Sequence, residues 1–416
     1  MVLKRLVFLS ALAAAPAPAQ PLAPDASHRP QARDPDLLIA QGTANAAFDR
    51  WIEGFRARAL ARGIEPALFD AAFAGIRYNA DVIARDRNQA EFSKALWEYL
   101  DTAVSDIRVS NGRDAFARHA ELLARIEADH GVEAEIVTAI WGLESAYGAV
   151  RGDTHVVEAM ATLAHDGRRR DFFEGQLMAA LRILQAGDVT PRDMTGSWAG
   201  AMGHTQFIPT SYLDYAVDGD GDGRRDIWGD DPADALASTA HYLARHGWQA
   251  GQPWGIEVTL PEGFDYTLAN RRITRAPSDW AEIGILGLDG QPVPDHGRAA
   301  ILLPAGHRGA AFMIFDNFAV LEHYNTADSY VIAVGHLADR IAGAGPFAAD
   351  WPREDRALTF VERQELQRLL RDAGFDPQGV DGRIGPLTID AIRAYQLDRG
   401  LVPDGYASVR LLERLR

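Results

Sequence analysis

The chain has 416 residues, 47% of them hydrophobic, and 42 basic against 58 acidic side chains give a formal net charge of −16. So acidic a chain is a poor partner for nucleic-acid phosphates and has little electrostatic attraction for any polyanion. It contains no cysteine, which excludes disulfides, thiolate zinc sites, a cysteine nucleophile and a lipidated N-terminal cysteine.

The N-terminus, "MVLKRLVFLSALAAAPAPAQ", sets Lys4 and Arg5 before an apolar stretch and a small-residue exit at Ala17-Pro18-Ala19. This pattern predicts a secretory signal peptide over residues 1–19. The Pro-, Ala- and Asp-rich residues 20–41 read as a flexible tether. Helical spacing then dominates as far as about Leu184, as in "FDRWIEGFRARALARG", where Phe48, Trp51, Ile52 and Phe55 share one face. It continues through "DALASTAHYLARHGW", where Asp234 can cap a helix and Gly247 can end it. Next, "GIEVTL", "AAILLPAG" and "GAAFMIF" are short apolar runs bounded by Gly and Pro, and they predict a small strand-rich insert. Helix returns at "SYVIAVGHLADRIAG". Residues 346–357 read as a linker, with "DWPRED" as its hinge. Residues 358–416 read as a compact three-helix unit, its second helix opened by Pro386 and closed by Gly400. The expected class is mainly α with a minor β component (α+β), the main helical domain covering residues 42–345. The C-terminal unit lacks a His, Glu or Ser constellation suited to chemistry, so binding is its expected role.

Three stretches carry candidate chemistry. In "AIWGLESAYG", residues 139–148, helical geometry puts Glu144 only about 40° from Ile140, inside the arc of Ile136, Val137, Ile140, Leu143 and Tyr147. A buried carboxylate without a partner is costly. Glu144 is therefore either a structural acid paired with an arginine or a general acid whose pKa is lifted by apolar walls. In "DGDGDGRRDIWGDDPAD", Asp218, Asp220 and Asp222 occupy positions 1, 3 and 5 of an EF-hand-like loop, with Gly223 at the sharp turn. Gly229 stands where a bidentate Glu is expected, so Asp226, Asp230, Asp231 or Asp234 must complete a shell. The readings are a structural Ca²⁺ site or an acidic surface turn. In "GSWAGAMGHTQFIPTSY", the glycines suggest backbone lying close to a ligand, with Ser197 and Gln206 able to bind hydroxyls and amides and Phe207 and Tyr212 able to stack. A Gly-rich turn between helices is the alternative.

Taken in order, "GLESAYG", "GSWAGAMGHTQFIPTSY" and the Asp-rich loop resemble the catalytic domain of lytic murein transglycosylases of the membrane-bound B type, from roughly Phe48 to Gly345. "VDGRIGPLTIDAIRAYQLDRGLVPDG" is similar to the small three-helix peptidoglycan-binding domain. The resemblance implies a lysozyme-like helical catalytic domain in which Glu144 is the single acid/base. It implies that Tyr99, Ser197, Gln206, Phe207, Tyr242, Tyr324 and Asn325 bind the glycan. It further implies that Asp218, Asp220, Asp222 and, across a two-residue insertion, Asp234 ligate Ca²⁺, with no organic cofactor. The lack of a lipidated Cys departs from the anchored members and implies a soluble periplasmic form without a transmembrane segment. Its expected partners are peptidoglycan glycan strands and other cell-wall enzymes, and no nucleic acid. The implied reaction cleaves the bond between N-acetylmuramic acid and N-acetylglucosamine and leaves a 1,6-anhydro end. The alternatives are a hydrolytic muramidase using a nearby Asp166 or Asp171, and a non-catalytic wall-binding protein.

Overall fold

The computed structural model describes residues 35–88 and 94–416. The expected signal peptide, and the expected tether as far as residue 34, lie outside them. Residues 35–41, expected in the tether, are instead the first turns of helix Pro35–Ala61. Contacts divide the chain into residues 1–46 and a unit from Ala47 to Arg416, and the second unit is described here.

Helices dominate this unit, and its main core runs from Phe48 to Ile341. Helix Ala134–Ser145 lies at the centre, with Val137, Ala139 and Ile140 wholly buried. It packs against helices Asp106–Arg118, Ala233–Arg245 and Asp328–Ile341. With Thr138, Trp141 and Gly142 also buried, almost its whole circumference is enclosed. That is the pattern of a core helix and not of a surface one. Two small antiparallel sheets complete the fold. Strands β1 (Thr154–His155) and β2 (Thr195–Gly196) form a short pair beside the Gly-rich stretch. Strands β3 (Gly255–Thr259), β4 (Leu286–Gly287), β5 (Ala300–Leu302) and β6 (Ala311–Ile314) form a sheet of order β4-β3-β6-β5. This sheet is the predicted strand-rich insert, and it covers its own small core around Trp280, Ile301 and Met313.

The C-terminal residues form three helices, Phe360–Asp372, Pro386–Asp398 and Val409–Leu415, over a separate core of Leu366, Leu370, Ile392 and Leu412. The first is opened by a reciprocal cap: Glu362 N–H donates to the Thr359 hydroxyl at 3.2 Å, and Thr359 N–H donates to the Glu362 carboxylate at 2.8 Å. The segment before them is no free hinge. Ala348 and Ala349 N–H both donate to Glu257 at 2.8 Å, Arg353 pairs with Asp101 at 2.7 Å, and Phe347 stacks on His336 at 3.7 Å. Charge and Pro content suggested a solvated hinge, but these polar groups are spent on partners in the body.

Two helical glycines should respond to substitution with opposite signs. A Cβ on Gly335 would overlap the indole of Trp254, whose Nε1 donates to Asp339 at 3.1 Å; Gly175 has nothing within 4 Å. Alanine gains about 1 kcal/mol in helix propensity at either site, while overpacking costs roughly 1–3 kcal/mol. Thermal unfolding should show a raised Tm for Gly175→Ala and a lowered Tm for Gly335→Ala.

Candidate active site

Glu144 occupies the last turn of helix Ala134–Ser145. Beyond Ser145 the chain turns sharply: Ala146 and Tyr147 both have positive φ, 50° and 59°. Non-glycine residues adopt this conformation at a cost and hold it only where the surroundings enforce it. Here the Tyr147 hydroxyl donates to the Arg108 carbonyl at 2.8 Å, and its ring lies where a side chain on Gly142 would be, within 2.5 Å of such a Cβ. Tyr147 is therefore not on the helical face with Ile140, as periodicity suggested. It folds back over Gly142, and Arg108 donates to the Gly142 carbonyl.

The Glu144 carboxylate accepts a hydrogen bond from the Tyr330 hydroxyl at 2.5 Å. Its pKa is pushed up to about 7 by burial, with the Tyr330 donor opposing. Its place at the helix C-terminus acts in the same direction as burial, because the last carbonyls disfavour negative charge. No arginine pairs with it among the described residues. The groups that feel its charge are phenols: burial first, then Glu144, raises the pKa of Tyr99, Tyr324 and Tyr330, with Arg108 opposing at Tyr99.

Four expected residues converge here. Tyr99 comes from helix Leu96–Ala103. Phe207, Tyr242 and Tyr324 form a triangle with ring centroids 5.8, 6.0 and 5.2 Å apart. The Tyr324 hydroxyl donates to the Thr205 carbonyl at 2.6 Å, and its ring runs parallel to Tyr330 at 6.5 Å. Gln206, with a positive φ of 57°, spends its amide N–H groups on the carbonyls of Arg151 and Gly203. Ser197 and Asn325 are bound into their own turns, accepting from Ala201 N–H and Ala327 N–H, each at 3.1 Å. The glycines of this stretch make room for the protein's own packing. A Cβ on Gly200 would meet Met160, and one on Gly203 would meet the Ile227 carbonyl.

Sequence reasoning missed Tyr330, and it passed over a network behind the site. Trp141 Nε1 donates to His204 Nδ1 at 3.1 Å, His204 Nε2 lies 2.8 Å from the Gly229 carbonyl, and Ser145 Oγ donates to the His204 carbonyl at 2.5 Å. These contacts assign a neutral imidazole donating through Nε2, and burial lowers its pKa. The residue types were visible at 141, 145 and 204, but nothing in their spacing brings them together.

The acidic loop is a separate feature. Carboxylate oxygens of Asp218, Asp220 and Asp222 lie within 4.8 Å of one another, all exposed. Backbone N–H groups of Gly221, Gly223, Asp222 and Arg224 donate to them and hold the loop in shape. Asp234 stands apart from the trio and is not the helix cap. It lies in the first turn of helix Ala233–Arg245, and its two oxygens accept from Gly219 N–H at 2.7 Å and Asp226 N–H at 2.6 Å, closing the loop's base. Hard oxygens in such a set suit Ca²⁺.

A helical body that sets a carboxyl group of elevated pKa against a wall of phenols has the arrangement of a lysozyme-like carbohydrate-cleaving domain. The chain belongs to the Transglycosylase SLT domain family, which it matches over residues 47–339, and residues 361–415 match a peptidoglycan binding domain family. It is 50% identical to Pseudomonas aeruginosa SltB3, crystallised in complex with NAG-anhNAM-pentapeptide. That likeness covers 89% of this chain and 99% of that one, with a TM-score of 0.87. Escherichia coli (strain K12) membrane-bound lytic murein transglycosylase B is 32% identical over 252 residues, 59% of this chain. The match spans 66% of that relative's length, just under two thirds. Escherichia coli Slt35, crystallised in complex with calcium, is 29% identical over 72% of this chain and 93% of that one, with a TM-score of 0.60.

The raised pKa of Glu144 has a consequence for stability. In the unfolded chain this carboxyl ionises near pH 4.3, and in the folded chain near 7. Stability from this group is therefore complete below the unfolded value and is lost as pH rises through about 7. Glu144→Gln should match the parent Tm near pH 4 and exceed it at pH 8. A constant offset at both pH values would show that the carboxyl is not strained.

Proposed function

We propose that the chain is a peptidoglycan lytic transglycosylase acting on the β-1,4 bond between N-acetylmuramic acid and N-acetylglucosamine. The observation that carries this reading is the lone Glu144 carboxyl, tuned near neutrality and enclosed by phenols. Glycosidases that use water ordinarily employ two carboxyl groups. Among the described residues no second carboxylate acts on Glu144. Asp166 is paired with Arg87 at 2.9 Å, and Asp171 is exposed in the first turn of helix Arg170–Ala186. A reaction with one acid/base fits this arrangement better than hydrolysis does.

In the proposed cycle Glu144 gives its proton to the glycosidic oxygen as the bond to C1 of N-acetylmuramic acid breaks. The substrate's own N-acetyl group stabilises the positive charge at C1. Glu144, now a carboxylate, takes the proton from the C6 hydroxyl, whose oxygen closes onto C1 as a 1,6-anhydro ring. An acid poised near the working pH serves both halves. Tyr330 keeps the carboxyl oriented, the partly exposed Tyr99 and Tyr324 supply ring faces for sugars with buried Phe207 and Tyr242 packed behind, and Ser197, Gln206 and Asn325 supply polar contacts.

In the same reading Asp218, Asp220 and Asp222 hold a structural Ca²⁺, which would relieve repulsion among exposed carboxylates. The calcium complex of Slt35 supports it. The C-terminal three-helix unit binds the wall polymer and keeps the catalytic unit near an insoluble substrate. With no helix among the described residues long and apolar enough to cross a membrane, and with the N-terminal pattern described above, the proposed location is the periplasm.

Mass spectrometry of products from purified sacculi tests the reaction. The expected products end in 1,6-anhydro-N-acetylmuramic acid, lighter by one water than hydrolytic ends, and Glu144→Gln should release none while remaining folded. Reducing ends carrying the added water would replace this reading with a muramidase.

For the loop, added Ca²⁺ should raise the Tm by favouring the native state, with little response to Mg²⁺. Asp220→Ala combined with Asp222→Ala should abolish the shift. A melting curve indifferent to both EDTA and Ca²⁺ would leave only an acidic turn.

A further inference from the structure

The wall that faces Glu144 comes from two consecutive helices, and one arginine outside both of them spans their junction. Helix Asp316–Tyr324 ends in Tyr324, and helix Asp328–Ile341 begins just before Tyr330. Arg271, in the turn after Tyr266–Leu268, donates through Nη1 to the Glu322 carboxylate at 2.5 Å and pairs through Nη2 with Asp328 at 2.5 Å. Its guanidinium lies 4.9 Å from the centre of the Phe318 ring. The turn carrying it is anchored from its other side as well: Arg272 pairs with Asp390, and Arg393 donates to the Ala269 carbonyl.

The two acids do not sit equally well without it. Asp328, in the first turn of its helix, is favoured there by the helix dipole. Glu322, in the last turn of its helix, is disfavoured by the same effect and faces a second carboxylate across the junction. A cation between them relieves the repulsion. A lysine could satisfy one acid at a time, whereas the guanidinium fork meets both and stacks on Phe318.

We propose that Arg271 is a positioning residue of the glycan-cleaving site: by clamping Glu322 to Asp328 it fixes the Tyr324–Asn325 turn and keeps the Tyr330 hydroxyl on Glu144. The inference rests on the function proposed above. Without the arginine, two like charges face each other at the junction and drive the helix ends apart, and Tyr330 sits in the turn that moves. Phe318 and Leu321 stay buried in the core, so the loss displaces the wall without unfolding it.

The test uses the full chain and soluble glycan strands. Arg271→Met should lower kcat by roughly ten- to a hundredfold, the effect of a small misplacement of catalytic groups, with a smaller change in KM. The limb of the pH profile that reports Glu144 should move to higher pH, because the carboxylate loses its donor; Tyr99, Tyr324 and Tyr330 are the groups that face it. Tyr330→Phe should move the limb in the same direction, and adding Arg271→Met to it should cost less than Arg271→Met alone, as expected of residues acting through one contact. The variant Arg271→Met/Glu322→Gln/Asp328→Asn, which removes the repulsion, should regain most of the lost kcat. The inference is overturned if Arg271→Met is as active as the parent, or if its loss leaves the pH profile unmoved and adds fully to that of Tyr330→Phe. It is also overturned if the charge-neutral variant is no better than Arg271→Met. A parent chain that makes no anhydro product would instead overturn the proposed function.

Discussion

Enclosing one carboxyl group in an apolar core costs free energy, and much of the helical body can be understood from how that group is carried. Half-buried Glu144, when ionised, loses part of its water and sits at the unfavourable end of a helix. Among the described residues the one compensation in contact with it is a neutral phenol, Tyr330, at 2.5 Å. A guanidinium in that place would hold the carboxylate permanently charged and unable to give up a proton. A phenol stabilises the charged form only modestly, and burial prevails, so the group titrates near 7. The choice of partner, more than the fact of burial, makes the carboxyl useful in both protonation states.

Such a group works only if its position is fixed, and the fixing comes from behind the helix. Trp141 and Ser145, one turn apart, both reach His204, the one to its ring and the other to its carbonyl. His204 in turn meets the Gly229 carbonyl, to which Arg151 also donates while pairing with Asp230 at 3.0 Å. The acidic loop thus connects mechanically to the end of the Glu144 helix. The left-handed residues Ala146 and Tyr147 become tolerable in this setting, because the turn they form is held by Tyr147 against Gly142 and by Ser145 against Gly148 N–H at 2.9 Å.

Some of this was legible in the residues and some was not, for identifiable reasons. Glu144 could be read because 3.6-residue periodicity isolates a carboxyl among Val137, Ile140 and Leu143. The three strand runs of the insert could be read because Gly and Pro bound them. Tyr330 could not be read: it lies 186 residues from Glu144, and local pattern carries no information about which helices meet. Tyr147 was placed on the helical face because nothing in "ESAY" announces a stop before Gly148; the tertiary contact with Gly142 ends the helix earlier. Asp234 was read as a cap from its place before a helical run and as a Ca²⁺ ligand from the family resemblance; it lies one residue inside the helix, and its two oxygens accept from backbone amides of the loop. The glycines near Ser197 were real signals of close approach, but periodicity cannot say that Met160 and Ile227 are among the approaching groups.

The segment before the C-terminal helices shows the same limit in a different form. Pro and charge in "GPFAADWPREDR" are the composition of a flexible linker, and composition reports solvation in the unfolded chain, not the partners available after folding. Glu257 supplies an acceptor for two consecutive amides, Asp101 supplies a carboxylate for Arg353, and His336 supplies a face for Phe347. The docking does not end there. Asp404 of the C-terminal unit accepts from His307 N–H at 3.1 Å and lies 2.5 Å from its Nδ1, in the loop between β5 and β6. Asp390 and Arg393 grip the turn that presents Arg271. The strand-rich insert therefore meets the wall helices through Arg271 and the C-terminal unit through its neighbour Arg272. A single short turn thus joins two bodies through the side chains of two successive residues.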